Sequence, residues 1–285
     1  MDNAAPPFAP MTPAQALPDG AWDAHVHMLG GPQHPLSPTR VENPPPGHSF
    51  DDWVTLLRAH LDSLGCSQAL IVHSILYGTD NSVTLDAVQA LGPRFKGVGL
   101  LADGAERAAV RALVQADTVA VRLNYVHGGV LTWDGAKAMA PLLADHGMHI
   151  QMLLHADKHI TNLADDIRAL PVPLVIDHCG WPTTLAPDTA AIDTLCALLA
   201  EGHAYVKLSA PYRLTRHPDA AAPLMRRLID ANPDACLWGS DWPHIMLGDA
   251  QMPRAADLAD AFSTLTTPQE RQKICVDTPN RLFTP

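Results

Sequence analysis

The chain has 285 residues, 47% of them hydrophobic and only 17% charged, with 26 prolines, 15 histidines and a formal net charge of −11. That apolar content offsets the entropy of ordering a core, which excludes a disordered acidic chain. The negative balance argues against a nucleic-acid groove or an anionic membrane surface as partner. Length alone admits two domains, yet α/β barrels use about 250 residues as one. Cys66, Cys179, Cys196, Cys236 and Cys275 are odd in number and form no C-x-x-C pair. Free thiols in a reducing compartment are therefore expected, not a zinc knuckle or a disulfide framework. The start, Met1-Asp2-Asn3-Ala4-Ala5-Pro6-Pro7, lacks the basic and apolar regions of a secretory signal. No apolar run nears the ~20 residues of a membrane helix, so the expected compartment is the cytoplasm.

In chain order, residues 1–20 are proline-rich and poor in bulky apolar side chains. They read as an N-terminal arm, loose or wrapped on the surface, ahead of one domain over 21–285. Short apolar runs then recur at 21–28, 68–75, 95–101, 118–124, 149–155, 172–178, 204–210 and 236–241. None alternates strictly, as expected of parallel strands covered on both faces. Between them lie helical patterns. Over Asp51–Leu64, the residues Trp53, Leu56, Leu57, His60, Leu61 and Leu64 fall at helical spacing. Trp133–His146 stops at Gly147 and Thr189–Ala200 stops near Gly202, both consistent with glycine caps. Eight strands alternating with helices over roughly 220 residues predict a single (β/α)8 TIM-like barrel. An open doubly wound sheet is the rival, but no G-x-G-x-x-G follows the first strand. The loop 29–49 carries six prolines and follows the first strand at the face where barrel enzymes bind ligands.

The polar residues test that assignment, because catalytic groups of a barrel sit at the C-terminal ends of its strands. The first strand ends in Asp23-Ala24-His25-Val26-His27, and residues at i and i+2 share a face. The sixth ends in Asp177-His178-Cys179-Gly180, the eighth in Gly239-Ser240-Asp241-Trp242-Pro243-His244. His25, His27, His178 and Asp241 make a mixed nitrogen and oxygen set suited to one Zn²⁺ or Mn²⁺ with a position open for water. The same set equally suits direct binding of water and substrate, with Asp241 as general base.

These three motifs, in this order and spacing, resemble the amidohydrolase superfamily. The closer likeness is to its amidohydrolase-related (amidohydrolase 2) branch, which includes 2-pyrone-4,6-dicarboxylate lactonase, sugar lactonases and sulfomuconolactone hydrolases. The likeness runs from Ala21 to Asn280-Arg281-Leu282-Phe283. It implies a barrel hydrolysing a small acidic lactone, either with no cofactor or with one divalent metal. It implies His25, His27 and His178 as metal or carbonyl ligands and Asp241 as the residue activating water. Arg122 and Arg213 match substrate-carboxylate arginines, a job that suits the planar guanidinium fork. Two departures stand out. Gly128 and Met246 replace an arginine and an asparagine of the pyrone dicarboxylate pattern, which points to a substrate with fewer anionic groups or one held by other loops.

Further candidates for binding substrate are Ser74 and His73 ending the second strand, His155 ending the fifth, and Tyr125, His127 and Tyr212 beside the arginines. Trp22, Trp181 and Trp242 read as packing beneath the site. His34, His48, His60, His146, His203 and His217 read as surface, helix or loop positions. The alternative enzyme reading is a metal-dependent non-oxidative decarboxylase of an aromatic or muconate-type acid. A barrel retained only as a scaffold would be expected to have lost a member of the His/Asp set. No G-x-S-x-G elbow supports a serine hydrolase. Nothing in the sequence decides whether the chain forms a homo-oligomer.

Overall fold

The computed structural model describes residues 2–248 and 250–284. Eight strands pair in sequence order, each parallel to the next. They are β1 Trp22–Val26, β2 Gln68–Val72, β3 Phe95–Gly99, β4 Thr118–Asn124, β5 His149–Leu153, β6 Leu174–Ile176, β7 Ala204–Ser209 and β8 Cys236–Gly239. The helices are α1 Phe50–Leu64, α2 Ser82–Leu91, α3 Arg107–Gln115, α4 Trp133–Ala144, α5 Ala156–Ala169, α6 Ala190–Glu201, α7 Pro211–Leu214, α8 Ala222–Ala231, α9 Ala255–Leu265, α10 Pro268–Gln272 and α11 Thr278–Phe283. This is the (β/α)8 barrel the alternating runs predict. Among the described residues no helix is long and apolar enough to cross a membrane.

Several predicted strands overshoot. The run read as 68–75 ends at Val72, and that read as 172–178 ends at Ile176. Ser74 instead caps a short 3-10 turn over Ile75–Tyr77, accepting from the Leu76 amide. His178 opens another such turn, with φ +53. Ser74 and His178 thus stand on turns just beyond the strands. Helix α1 forms as the pattern predicts, with a capping box between Ser49 and Asp52 and Gly65 ending it at φ +77. His60, read at helical spacing in this helix and without a constellation, belongs to one. It is buried, with Nε2 3.3 Å from Asp23 Oδ2 and 3.1 Å from Ser240 Oγ, because α1 packs over the β1–β8 seam.

That seam closes the barrel. The Asp241 amide donates to the His25 carbonyl at 2.8 Å and the His27 amide to the Trp242 carbonyl at 2.7 Å. The Ser240 amide donates to Asp23 Oδ1 at 2.9 Å. Gly239 permits the approach: a Cβ there would meet both Cβ and N of His25 at 2.7 Å.

The opposite end is plugged by the C-terminal helix. Phe283 meets Trp22 edge-on at 5.2 Å and stacks on His149 at 5.7 Å, while the Trp22 indole donates to Asn280. Both ring nitrogens of His149 are buried without a partner. Burial, aided by the Lys207 charge, lowers its pKa to about 3. The folded chain therefore refuses a proton that the unfolded chain accepts near pH 6.5, so stability falls as pH drops below that value. At ~1.4 kcal/mol per unit, His149 accounts for about 2 kcal/mol between pH 7 and pH 5. His149→Leu should remove that share, and thermal melts of both proteins at the two pH values would show it. An equal loss in both proteins would sink the assignment.

The N-terminal residues lie against the body. The Ala4 amide donates to the Asn43 carbonyl, the Arg254 guanidinium stacks over Phe8, and Asp260 accepts from the amides of Ala14 and Gln15.

Candidate active site

The pairing of β1 with β2 slips between Asp23 and Val26, a bulge of the kind found beside active sites. Asp23 turns to His60, while His25 and His27 both come to Asp241. Their Nε2 atoms are 3.3 Å apart, and they lie 3.6 and 3.4 Å from Asp241 Oδ1. His27 Nδ1 sits 2.8 Å from the Val72 carbonyl. A carbonyl only accepts, so Nδ1 carries a proton and Nε2 is the nitrogen turned to Asp241. His178 packs its ring 4.7 Å from that of His25, and its Nδ1 is 2.9 Å from Ser209 Oγ. Ligand atoms of His25, His178 and Asp241 all lie within 4.8 Å of one another.

Asp241 is fully buried and its two oxygens differ. Oδ2 accepts from Arg213 Nε and from the Tyr212 hydroxyl, both at 2.7 Å. Oδ1 has no hydrogen-bond partner. Burial by itself would raise the carboxyl pKa, but the Arg213 guanidinium beside it holds it well below the usual range. Burial lowers His178 to about 4 and His244 to about 3, so both are neutral near pH 7. A carboxylate oxygen thus faces Nε2 of His27 and Nε2 of His25, and groups so placed require a proton, a water or a cation between them. Zinc–ligand bonds of ~2.1 Å put tetrahedral ligands about 3.4 Å apart. The separations among His25, His27 and Asp241 fit one divalent cation.

A second layer stands behind His25. Lys207 of β7 is buried, and its Nζ donates to Gln151 Oε1 at 2.6 Å. The same Nζ is 3.3 Å from His25 Nδ1 and 3.6 Å from Asp177 Oδ1. Burial lowers the Lys207 pKa to about 8. Gln151 also donates to Asp177 Oδ2, and Arg122 Nη2 stands 3.6 Å from that oxygen. Sequence reading missed Lys207 and Gln151 and gave Asp177 no role. The available signal was a lysine and a glutamine inside apolar runs of a two-sided strand.

The predicted substrate residues divide. Arg122 donates from Nη1 to the His73 carbonyl, and its buried Nε has no partner. Arg213 holds Asp241 and also donates to the carbonyls of Ile245 and Met246. Tyr212 touches Asp241 and lies 3.1 Å from His244 Nδ1. His155 Nδ1 meets the Trp181 carbonyl at 2.7 Å. Trp181, expected beneath the site, is half-buried on the rim between His127 and His155, because its backbone turns at φ +35. Asp241, His244 and Met246 adopt φ of +64, +63 and +62. Each such non-glycine residue costs ~1–3 kcal/mol and persists only where its surroundings enforce it. A cavity of about 920 Å³ lies on the other side of β7 and β8, among Trp238, Met225, Leu258 and Phe262, away from the histidines.

Comparison with known proteins agrees with this geometry. The amidohydrolase family profile matches residues 22–284. The chain belongs to the amidohydrolase family. A 4-sulfomuconolactone hydrolase of Hydrogenophaga intermedia is 32% identical to this amidohydrolase over 94% of this chain and 89% of its own length. A 2-pyrone-4,6-dicarboxylate hydrolase of Comamonas testosteroni is 31% identical over 97% and 94%. A crystal structure from Pseudomonas putida, described as a 2-pyrone-4,6-dicarboxylic acid hydrolase, superposes with a TM-score of 0.78 at 25% identity. It covers 94% of this chain and 98% of that one. This amidohydrolase is accordingly an enzyme.

Proposed function

We propose that this amidohydrolase opens a small acidic lactone by adding water to its ester carbonyl. The observation that carries the reading is the buried, unpartnered Oδ1 of Asp241, aimed at the Nε2 atoms of His25 and His27. Relatives at 31% and 32% identity are named for hydrolysis of a pyrone dicarboxylate and a sulfomuconolactone, which supports the substrate class.

Asp241 is ionised and held by Arg213 and Tyr212 through Oδ2, so Oδ1 is the oxygen that takes a proton from water. The water oxygen bonds to the carbonyl carbon. Collapse of the tetrahedral adduct breaks the ring C–O bond, and the departing oxygen recovers the proton from Asp241. The oxyanion grows beside His25 and His178 in a site that excludes water, where fixed dipoles act most strongly. Arg122 offers its free Nε to a substrate carboxylate, which fixes the ring against the base. The Ser74 hydroxyl, which can still donate, and Nε2 of His155 would take further substrate oxygens. His25, His27, His178 and Asp241 would hold one divalent cation, zinc or manganese. When bound it supplies Lewis acidity to the carbonyl and acidifies water.

The test is a panel of a pyrone dicarboxylate, a muconolactone and a sugar-acid lactone, run on protein whose metal content per chain is measured by mass spectrometry. Ring opening of at least one at kcat/KM near 10⁴ M⁻¹s⁻¹ or above is expected. CO₂ release from an aromatic or muconate-type acid, with every lactone left intact, would replace hydrolysis by decarboxylation.

A further inference from the structure

We infer that Glu42 is a positioning residue: it latches the proline-rich loop after β1 onto the Met246 peptide and so holds Arg213 and Asp241 in place for reaction. The inference rests on the reading of Asp241 as the base. Glu42 Oε2 accepts from the Met246 amide at 2.8 Å, across 204 residues of sequence. The other side of Met246 is also held, because its carbonyl accepts from Arg213 Nη1 at 3.3 Å. Arg213 Nη2 donates to the preceding carbonyl, of Ile245, at 2.7 Å, and Arg213 Nε grips Asp241 Oδ2 at 2.7 Å. One chain of contacts therefore runs from Glu42 through Met246 and Arg213 to the carboxylate.

The backbone shows why a clamp is needed. Met246 sits at φ +62, a conformation that a residue bearing a Cβ leaves when nothing holds it. Two earlier left-handed residues of the same segment have anchors of their own: the Asp241 amide donates to His25, and the His244 amide to Asp241. For the Met246 amide the anchor is Glu42. If Met246 relaxed, both carbonyls that steady the Arg213 guanidinium would turn, and its grip on Asp241 would loosen.

The loop is built to present Glu42. Tyr77 Oη accepts from the Gly30 amide at 2.6 Å, and the Ser37 amide donates to the Leu76 carbonyl at 2.8 Å. Arg40 Nε donates to Asn43 Oδ1 at 2.8 Å, and the Asn43 carbonyl accepts from the Ala4 amide at 2.9 Å. The loop is thus pinned before and after Glu42.

The experiment compares the wild type with Glu42→Ala and Glu42→Gln, whose amide oxygen still accepts a hydrogen bond. Hydrogen exchange at the Met246 amide is read alongside melting temperature, kcat and KM on whichever lactone of the panel turns over fastest. Glu42→Ala should speed exchange at Met246 at least tenfold and lower kcat about tenfold, with KM within twofold. Glu42→Gln should restore most of both. An unprotected Met246 amide in the wild type itself, or unchanged exchange in Glu42→Ala, would overturn the latch. Faster exchange with unaltered kcat would overturn the positioning role, as would a lowered melting temperature with unaltered kcat. If no lactone is turned over by the wild type, the reading of the reaction fails, while the exchange measurement still decides the latch.

Discussion

Asparagine at position 241 should cost this amidohydrolase about three orders of magnitude in kcat, roughly 4 kcal/mol of barrier. The amide that replaces Oδ1 or Oδ2 cannot take the proton of water, and among the described residues no second carboxylate stands at the same place. The sequence alone suggests that such a change leaves folding nearly untouched, because an aspartate at a strand end reads as a free catalytic group. The structure gives a different expectation. Arg213 is 14% exposed and depends on Asp241 for its counter-charge. Leaving it without one should lower stability by about 2 kcal/mol, less than the full cost of an unpaired buried charge because the asparagine oxygen still accepts. Steady-state kinetics and calorimetry on one preparation separate the two effects. Near-normal turnover would remove Asp241 as base, and an unchanged melting temperature would remove the ion-pair account.

Gly239→Ala should damage the barrel and its site together. The new carbon would lie 2.7 Å from both the Cβ and the backbone nitrogen of His25. Neither is the movable end of a flexible side chain. Strand β1 would have to retreat from β8, stretching the Asp241-to-His25 and His27-to-Trp242 bonds that close the barrel. Overpacking of this kind costs about 3 kcal/mol. Activity should fall further than stability implies, because the strand that moves carries two histidines of the site. Denaturant unfolding with turnover measured on the folded fraction would show it. A variant with native stability and rate would mean that β1 gives way without effect.

The barrel was legible because a parallel strand covered on both faces leaves a short apolar run, and eight such runs stand between helical patterns. His25, His27, His178 and Asp241 were legible as a constellation because each lies at the C-terminal end of a strand or just beyond it, so a single topology carries them to one rim. The second layer was hidden. Lys207 and Gln151 lie within apolar runs, which marks them as buried but does not say that the lysine meets Asp177. Arg213 was visible as a cation at the mouth, but its bonds to Asp241, Ile245 and Met246 depend on a backbone path that no spacing encodes. The partners of His60 were hidden for a related reason: its helix was clear, while the seam it covers is formed by the two ends of the chain.

That seam also sets when the enzyme comes into being. The Ser240 amide and its Asp23 acceptor are 217 residues apart, so the last strand must be synthesised before the first can be closed. Loop-closure entropy makes such distant pairings slow to form. Until they form, β1 and β8 present open edges to other chains, the state in which parallel sheets are most prone to aggregate. The base and the two histidines opposite it come together in that same closing event. Recovery of activity during refolding therefore reports the final step, with no partly active intermediate expected before it.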